Sequence, residues 1–313
     1  MLLAGFQPTG DGRLHIGNYF GAVLPLIKSQ RPAWVMVADI HATTVTHDST
    51  VYRSSGRCAE ELSRCLGDST SIHRQGAVPE HYELGIILQH LARMGELERM
   101  TQYRMKAGEK STPVGLFTYP TLMAADIALL RPAQIAAGDD QTQHINLARD
   151  LIGRFNSAYG HALDDFDAKR LPSVRVASLT DPSIKMSKSH PKGALYISDD
   201  MTTVAKKIRS AVSGTQDAVR AEYEHNTQGI ASLISLLGLY REITPEVCAQ
   251  QMDGSNMFRL KTALVEAHEE RFAPLRAPYQ EKDVDAFLLK GNAAARVRAQ
   301  ETMERVRNRM AGY

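Results

Sequence analysis

The sequence predicts an α/β protein, with a doubly wound parallel sheet of the Rossmann type followed by a smaller all-helical C-terminal domain. Over the first half of the chain, short apolar runs alternate with segments of helical spacing. This is the pattern of a parallel sheet with right-handed crossovers. Beyond about residue 198 the spacing is helical throughout. We therefore expect a sheet domain at 1–190 and a helical domain at 191–313.

The composition is that of an ordinary globular chain. Its 313 residues suffice for one large domain and a smaller one, each with a buried core. The three cysteines fit neither a disulfide framework nor a common zinc spacing, and the sequence has no apolar run of membrane-spanning length. These features predict a soluble, cytoplasmic protein.

The net charge of +2 conceals a basic C-terminal stretch. Between residues 290 and 309 the chain carries six basic side chains and two acidic ones. A run of this kind indicates an interaction surface. The basic residues are Lys290, Arg296, Arg298, Arg305, Arg307 and Arg309.

The first predicted strand, Leu2–Phe6, leads into a glycine-rich turn that ends in the sequence HIGN, and then into a helix. Glycines let the backbone approach a ligand closely. The first N–H groups of a helix are unpaired donors at the positive end of its dipole. His15 and Asn18 stand three residues apart, so both side chains can donate to one phosphoryl group. Such turns are common after strands, and alone this one is weak evidence for a phosphate site.

The second predicted strand, residues 33–38, is apolar almost throughout, as in a parallel sheet that is covered on both faces. It brings His41 to the carboxyl edge of the sheet, where ligands bind in open α/β sheets. His41 is interpreted either as a hydrogen-bonded structural histidine or as a ligand contact. A third strand is expected at 71–74, and a helix at 80–94 that continues after a break at Gly95.

Residues 106–115 are polar and small and predict a loop. Lys106 opens this loop. It is interpreted either as a solvated lysine or as one that folds over a triphosphate.

The next predicted helix, residues 119–130, has Pro120 in its first turn, where proline is tolerated. Asp126 lies on a face that it shares with Met123 in an otherwise apolar helix. A buried carboxylate is costly without a partner. Asp126 is therefore either part of a structural ion pair or the acceptor for a donor group on an apolar ligand.

A short predicted strand at 134–137 ends in a sharp turn before a helix with an apolar stripe. The turn contains Gly138, Asp139, Asp140 and Gln141. Its carboxylates have two interpretations. They complement the dipole of the following helix, or they accept from ribose hydroxyls or a ligand ammonium group.

The sequence KMSKS occupies residues 185–189, in a connector with little periodicity. Lys185 and Lys188 add two mobile ammonium donors, although a lysine pair in a loop is usually a solvated patch. Together, HIGN and KMSKS predict an ATP polyphosphate that is held by both stretches. In this order, they resemble the paired signatures of class I aminoacyl-tRNA synthetases.

Further segments narrow this resemblance to the bacterial-type tryptophanyl-tRNA synthetases, along essentially the whole chain. The most diagnostic are MAAD and GxDQxQH, found here in that order. The matching segments are residues 5–22, 39–45, 95–103, 118–130, 138–156, 178–189 and 295–310.

The resemblance implies roles for individual residues. For tryptophan, it implies that Asp126 accepts the indole N–H, that Tyr119 and Met123 line the pocket, and that Gln141 lies near the ammonium group. His41 is a further candidate contact for tryptophan. For catalysis, it implies His15, Asn18, Lys106, Lys185 and Lys188. For ATP, it implies Gln7, Pro8, Thr9, Gly17, Asn18, Gly138, Asp139, Asp140, Val176, Lys185, Met186, Ser187, Lys188 and Ser189.

It further implies ATP-dependent activation of L-tryptophan, transfer to tRNA(Trp), Mg²⁺ bound through the ATP phosphates and no metal site formed by the protein. The region 1–190, with the KMSKS loop, would be catalytic, and 191–313 would bind tRNA as part of a homodimer. Three positions depart from the family pattern: Ala137, Asp139 and His190. Two alternatives stay open, a tyrosyl-tRNA synthetase and a paralogue that binds a partner protein without catalysis.

Overall fold

The structure is a computed structural model. It describes residues 1–44, 47, 49–67, 70–106, 112–136, 141–170, 174–276 and 281–312. Its sheet has five strands in the order β3-β2-β1-β4-β5, and every pair of neighbours is parallel. This is the Rossmann order, so the predicted fold class is confirmed. The strands are β1 (Leu2–Phe6), β2 (Ala33–Val37), β3 (Ser71–Arg74), β4 (Gln134–Ile135) and β5 (Asp167–Arg170).

Helices connect the strands and make up the regular structure that is described after β5, apart from isolated bridges. A π-helical turn, Tyr19–Val23, joins the first two helices. The helices are α1 (Ile16–Asn18), α2 (Leu24–Ser29), α3 (Asp39–Ala42), α4 (Thr50–Leu66), α5 (Glu80–Leu91), α6 (Met94–Glu98), α7 (Thr101–Lys106), α8 (Val114–Leu130), α9 (Thr142–Tyr159), α10 (Met201–Arg209), α11 (Gln228–Arg241), α12 (Pro245–Gln251), α13 (Met257–Phe272) and α14 (Glu281–Met310). Among the described residues, none of these helices has both the length and the apolar character needed to cross a membrane.

Contacts divide the chain into two compact units. The first unit contains Met1–Gly12, Pro25–Ser173 and Gln280–Tyr313, and the second contains Arg13–Leu24 and Val174–Tyr279. This division does not follow a single boundary near residue 190. It assigns the segment after β1 to the second unit and returns α14 to the first.

The first unit is built on the sheet and on the apolar faces of its helices. Each residue of β2 is buried, as the continuous apolar run predicts for a strand covered on both sides. Helices α5, α8, α9 and α14 supply most of the core beside the sheet. The apolar stripe of α9, which includes Ile145, Leu151 and Phe155, is buried as predicted.

Helix α14 packs on the edge strand β3 and on α4, α5 and α8. Gly291 makes this approach possible, because a Cβ atom there would lie 1.7 Å from the Ile72 carbonyl oxygen. Asn292 Oδ1 accepts the backbone N–H of Arg74 at 2.8 Å. The helix therefore covers an edge that would otherwise be open for pairing.

Several charges of the basic C-terminal stretch are used inside this unit. Arg305 makes two contacts with the Asp164 carboxylate, at 3.2 and 3.1 Å, and Arg307 Nε donates to Glu83 Oε1 at 2.8 Å. Arg298 donates to the Leu130 carbonyl oxygen at 3.1 Å. These arginines hold α14 in place, a role that the sequence analysis did not assign to them.

The second unit has an aromatic core. Tyr19, directly after α1, packs edge-to-face on Phe272 with ring centroids 4.8 Å apart. Phe20 packs in the same way on Tyr240, at 5.1 Å. The Tyr240 hydroxyl lies 2.7 Å from His268 Nδ1, inside the core. These contacts join the segment after HIGN to α11 and α13.

Two local predictions were wrong, and one strand was missed. Helix α8 begins at Val114, so Pro120 lies in its interior rather than in its first turn. The break after α5 falls at residues 92–93, and Gly95 lies within α6. Strand β5 was not predicted, since its sequence, DAKR, lacks the apolar character on which strand prediction depends.

Candidate active site

The carboxylate of Asp126 lies at the centre of a buried polar cluster in the first unit. Asp126 is only 2% exposed to solvent. His41 Nε2 lies 2.7 Å from Oδ2, and Gln75 Nε2 donates to Oδ1 at 2.8 Å and to Oδ2 at 3.1 Å. His81 Nδ1 lies 2.7 Å from Oδ1, within ion-pair distance but outside hydrogen-bond geometry.

This cluster keeps the Asp126 carboxyl ionised. Burial raises the pKa of a carboxyl group because it disfavours the charge. Here the electrostatic interactions with His41 and His81 and the His41 hydrogen bond outweigh burial, and the pKa of Asp126 falls below its ordinary value. An ionised carboxylate only accepts hydrogen bonds, so His41 Nε2 carries a proton in this contact. The structure thus contains the ion-pair arrangement that was one of the two interpretations of Asp126.

The carboxyl ends of β2 and β3 position the partners of Asp126. His41 lies in α3, directly after β2, and Gln75 directly follows β3. Asp39 ties the two ends together, because its carboxylate accepts from Arg74 Nε at 3.1 Å and from the Gly76 N–H at 2.8 Å. The His41 N–H donates to Gln75 Oε1 at 3.2 Å. Hydrogen bonds from side chains therefore hold the segments that follow β2 and β3 in place at the carboxyl edge of the sheet.

Tyr119 extends the cluster along α8. Its hydroxyl lies 2.5 Å from Nε2 of the buried His144 on α9. Its ring meets the His41 ring edge-on, with centroids 6.0 Å apart. Met123, one turn further along α8, is partly buried against the core. Gln141 is the residue before α9 and is partly buried.

Gln75, His81 and His144 were not assigned roles by the sequence analysis. Gln75 follows a strand of the parallel sheet, so the sheet-edge argument that was applied to His41 would also have indicated Gln75. His144 lies within the diagnostic GxDQxQH segment. His81 had no local signal, because its contact with Asp126 joins positions 45 residues apart.

In the second unit, HIGN forms a closed capping box at the start of α1. The Asn18 N–H donates to His15 Nδ1, and the His15 N–H donates to Asn18 Oδ1, both at 3.2 Å. The two side chains thus bond to each other's backbone through their acceptor atoms, Nδ1 and Oδ1. Because Nδ1 accepts, the proton of the neutral imidazole resides on Nε2.

The imidazole of His15 is neutral over the physiological range. Its pKa is lowered to about 3 by burial and by the positive charges of Lys188 and Lys185. The positive charges of both KMSKS lysines therefore oppose protonation of the ring. A neutral Nε2–H beside two ammonium groups is a set of donors suited to phosphate oxygens.

The backbone brings HIGN and KMSKS together. Ile16 N–H donates to the Leu195 carbonyl at 2.9 Å, so the HIGN segment pairs with the chain that follows KMSKS. Gly17 faces both the His15 ring and Met186: a Cβ atom there would lie 2.8 Å from His15 Nδ1 and 3.8 Å from Met186 Cβ. Only a residue without a Cβ atom fits at this approach.

KMSKS begins on a short antiparallel hairpin. The Met186 N–H donates to the Val176 carbonyl at 2.9 Å, and both side chains are buried. Ser187 Oγ lies 3.3 Å from His190 Nδ1, a contact at a position for which the sequence analysis had no role. Lys185 and Ser189 are exposed, and Lys188 is partly buried.

Other predicted site residues belong to the first unit or lie outside the described chain. Gln7, Pro8 and Thr9 directly follow β1, and the Gly12 N–H closes the turn on the Thr9 carbonyl at 3.3 Å. Lys106 ends α7, and its side chain is not among those described. Ala137, Gly138, Asp139 and Asp140 lie outside the described residues. Across the described residues there is no cluster of three or more acidic, histidine or cysteine side chains placed to hold a metal ion.

Comparison with known proteins yields matches along nearly the whole chain. Residues 1–273 match the profile of the family described as class I tRNA synthetases (W and Y). A curated tryptophan–tRNA ligase 2 of Streptomyces avermitilis is 36% identical over 329 aligned positions, which cover 99% of this chain and 96% of that protein. A tryptophan–tRNA ligase of Bacillus anthracis is 35% identical, with 99% and 97% covered.

Solved structures of tryptophanyl-tRNA synthetases also match this chain over nearly its whole length. The tryptophanyl-tRNA synthetase of Mycoplasma pneumoniae superposes with a TM-score of 0.83 at 28% identity, over 99% of this chain and 97% of that one. The Campylobacter jejuni enzyme, solved in complex with ADP and tryptophan, also has a TM-score of 0.83 at 28% identity, over 100% and 99% of the two chains.

Proposed function

This chain belongs to the class I tRNA synthetases of the tryptophan and tyrosine group, and we propose from that premise how its residues carry out the reaction. The reaction is the ATP-dependent activation of L-tryptophan to tryptophanyl-adenylate and its transfer to tRNA(Trp). The observation that carries the residue assignment is the buried, ionised carboxylate of Asp126 on α8, at the ligand edge of the sheet.

Asp126 is the acceptor for the indole N–H of tryptophan. Tyr119 and Met123, on the same helix, line the pocket together with His41, and Gln141 lies near the ammonium group. A buried acceptor that needs a donor rejects phenylalanine, because the acceptor would be left unpaired. The size of the pocket then has to exclude tyrosine, whose hydroxyl is also a donor.

His15 donates from Nε2 to the ATP phosphates, with Asn18 beside it. Its neutral state supports this role, since the donor is present throughout the working pH range. Lys185 and Lys188 follow the charge that develops on the departing pyrophosphate, as does Lys106. Such positioning and charge stabilisation are the main sources of catalysis in transfers of this kind.

The remaining ATP contacts fall into two sets. One set follows the strands β1 and β4 in the sequence, Gln7, Pro8, Thr9, Gly138, Asp139 and Asp140, and the other belongs to the HIGN segment and the KMSKS hairpin, Gly17, Asn18, Val176, Met186, Ser187 and Ser189. Mg²⁺ would be bound through the ATP phosphates, where it would neutralise phosphate charge. The cationic and neutral donors around His15 fit a polyphosphate that arrives with its own metal ion.

The chemistry is an in-line displacement. An oxygen of the tryptophan carboxylate forms a bond to the α-phosphorus of ATP, and the bond to the pyrophosphate oxygen breaks. A terminal ribose hydroxyl of tRNA then attacks the activated carbonyl carbon, and AMP leaves. No side chain of the protein forms a covalent intermediate in this scheme.

The assembly is a homodimer that binds tRNA through residues 191–313 and acts in the cytoplasm. A group of exposed apolar side chains in the first unit supports a second copy as partner, since α5 and α6 both pack on α8 and α6 also packs on α7. These side chains are Tyr82, Ile86, Met94, Met105 and Val114. Because Arg298, Arg305 and Arg307 already bond within the first unit, we expect tRNA contacts to come chiefly from earlier helices of this region.

Amino-acid-dependent ATP–pyrophosphate exchange tests this assignment. The intact protein is assayed with tryptophan and with tyrosine, and the measurement is repeated on Asp126→Ala. We expect exchange with tryptophan only, largely lost in the variant. Exchange with tyrosine alone would assign the chain to the other substrate of its family. Full pyrophosphate exchange in Asp126→Ala would show that Asp126 does not bind tryptophan.

A further inference from the structure

Three side chains already surround the carboxylate that is to receive tryptophan. An ionised carboxylate offers about four acceptor positions on its two oxygens. Gln75 Nε2 donates to both oxygens of Asp126, His41 Nε2 lies at Oδ2, and His81 Nδ1 lies at Oδ1. Because Asp126 is 2% exposed and these three side chains lie against its oxygens, we expect an indole N–H to reach the carboxylate by taking the place of one of them.

Two of the partners are held from a second side. His81 is fully buried and stacks on His73, with the ring planes 8° apart and the centroids at 6.0 Å. Gln75 is also fully buried, and its Oε1 accepts the His41 backbone N–H at 3.2 Å. Moving either side chain would open a cavity or break a second bond inside the core.

The His41 ring differs from these two partners. Like His81, it meets Asp126 through a single atom, Nε2, but it is 6% exposed where the other two are fully buried. It packs edge-on against Tyr119, a residue of the proposed tryptophan pocket. The backbone of His41 is anchored by Gln75, so the ring can turn about its side-chain bonds while α3 stays in place.

We propose that tryptophan and His41 exchange at Asp126: the indole N–H takes the position at Oδ2, and the His41 ring moves away from it. Gln75 and His81 are positioning residues that keep the carboxylate oriented during the exchange. This inference rests on the proposed role of Asp126 as the indole acceptor. Its consequence is that Asp126 is paired in the empty pocket and in the filled one, and that only a side chain with a suitably placed donor displaces His41.

The exchange makes a specific prediction about binding. An analogue with sulfur in place of the indole N–H, 3-(benzothiophen-3-yl)-L-alanine, leaves His41 on Asp126. In the wild-type protein, tryptophan replaces the His41 hydrogen bond to Asp126 with its own, whereas the sulfur analogue leaves the His41 bond in place. The preference for tryptophan therefore reflects only the difference in free energy between these two hydrogen bonds. When His41 is replaced by phenylalanine, Asp126 has an open position that only the N–H fills, and the preference grows by about tenfold or more.

Isothermal titration calorimetry on the intact chain measures this preference. Affinities for tryptophan and for the sulfur analogue are compared in the wild type, in His41→Phe and in His90→Phe, a change at an exposed position of α5. A larger preference in His41→Phe than in the other two supports the exchange. A preference that is unchanged or smaller overturns it, because His41 then stays on Asp126 or binds tryptophan itself.

A second variant separates this inference from the role on which it rests. If Asp126→Ala retains the wild-type preference, Asp126 is not the acceptor and the proposed role fails. If Asp126→Ala loses the preference while His41→Phe leaves it unchanged, only the exchange is wrong.

Crystal structures of the wild-type protein with each of the two amino acids require no variant. With tryptophan we expect His41 Nε2 to lie beyond hydrogen-bond range of Asp126 Oδ2, at more than about 3.5 Å. With the sulfur analogue it should remain near the 2.7 Å of the empty pocket. His41 on Asp126 in both complexes would refute the exchange.

Discussion

The backbone N–H of Asn18 donates to Nδ1 of His15 at 3.2 Å, and this bond determines which nitrogen of the imidazole faces a ligand as a donor. The bond forms within HIGN itself, so it needs no contact with another element. With the ring buried beside two lysines, the donor at Nε2 is permanent at neutral pH. The backbone of the motif itself therefore determines that the proton of this imidazole lies on Nε2.

Replacement of His15 by asparagine should lower the rate of pyrophosphate exchange by about 10² to 10³, the scale of one lost transition-state donor. Since the pKa of His15 is about 3 in the folded protein, its protonation contributes no step to the rate near neutral pH. The pH profiles of wild type and variant should run parallel. His225→Asn, at an exposed position, serves as the control. A step near pH 6.5 that the variant lacks would show that His15 titrates.

Stability should fall on acidification because of two further buried histidines. Burial is the largest cause that lowers the pKa of His73 and of His268 from 6.5 to about 3. Between these values the unfolded chain binds protons that the folded chain does not, so the free energy of unfolding decreases as pH falls. Each histidine contributes a slope of about 1.4 kcal/mol per pH unit at most. The contribution is fully present above pH 6.5.

Urea unfolding from about pH 7 down to about pH 4 measures this slope. His73→Phe should flatten the pH dependence, and His225→Gln should leave it unchanged. Because Phe lacks the ring nitrogens that are buried without partners in His73, the variant should lose little stability at neutral pH. Identical slopes for all three proteins would contradict the prediction.

Gly193→Ala should disturb the hairpin that carries KMSKS. A Cβ atom at 193 would lie 2.0 Å from Ser178 Oγ and 2.6 Å from Thr180 Oγ1, and these two hydroxyls now bond to each other. We expect the free energy of unfolding to fall by about 1–3 kcal/mol, as is typical of overpacking, and ATP–pyrophosphate exchange to be slower. Chemical denaturation and the exchange assay measure the two effects.

The same substitution at Gly153 is the matched control for this experiment. Gly153 is exposed on α9, and its Cβ position has no neighbour within 4 Å among the described residues. Gly153→Ala should raise stability by roughly 0.5–1 kcal/mol, because alanine loses less conformational freedom in a helix. A stable, fully active Gly193→Ala protein would show that the hairpin has room to adapt.

Gly291→Ala should separate α14 from the edge of the sheet. The added carbon would meet the backbone of Ile72, which cannot rotate away as a side chain can. We expect a loss of about 3 kcal/mol or more in the free energy of unfolding. Asn292→Ala should cost about 1–3 kcal/mol, because it leaves the Arg74 N–H without its acceptor.

Tryptophan affinity reports whether this edge supports the pocket. Arg74 bonds to Asp39, and Gln75 bonds to Asp126, so loss of the Asn292 contact should weaken binding as well as stability. Ala294→Ser, on the exposed side of α14, should change neither quantity. Unaltered affinity in Asn292→Ala would show that the pocket is independent of this helix.

Local patterns predicted the elements whose environment is uniform along their length. β1 and β3 have the bounds that the sequence indicated, and the stripe of α9 is buried as its spacing requires. β5 escaped prediction because polar edge strands have no such period. Pro120 was misplaced because the burial of much of α8 outweighs one missing N–H bond.

In the candidate site, the sequence likewise predicted single residues that stand out from their local pattern, but not the contacts between them. Asp126 is visible in the sequence as a charge in an apolar helix, and His41 as a polar residue after a strand. Their pairing is not visible, because it joins residues 85 positions apart. His81 is as distant from any local rule, since its neighbours come from other elements of the unit.

The dependence of β3 on α14 has a consequence for synthesis on the ribosome. Arg74 and its acceptor Asn292 are 218 positions apart, so the edge strand is translated long before the helix that covers it. The core residues that α14 supplies, among them Ala295, Ala299 and Met303, arrive equally late. During that interval the nascent chain presents an uncovered strand edge and an incomplete apolar layer, the surfaces that chaperones bind and that neighbouring chains aggregate through.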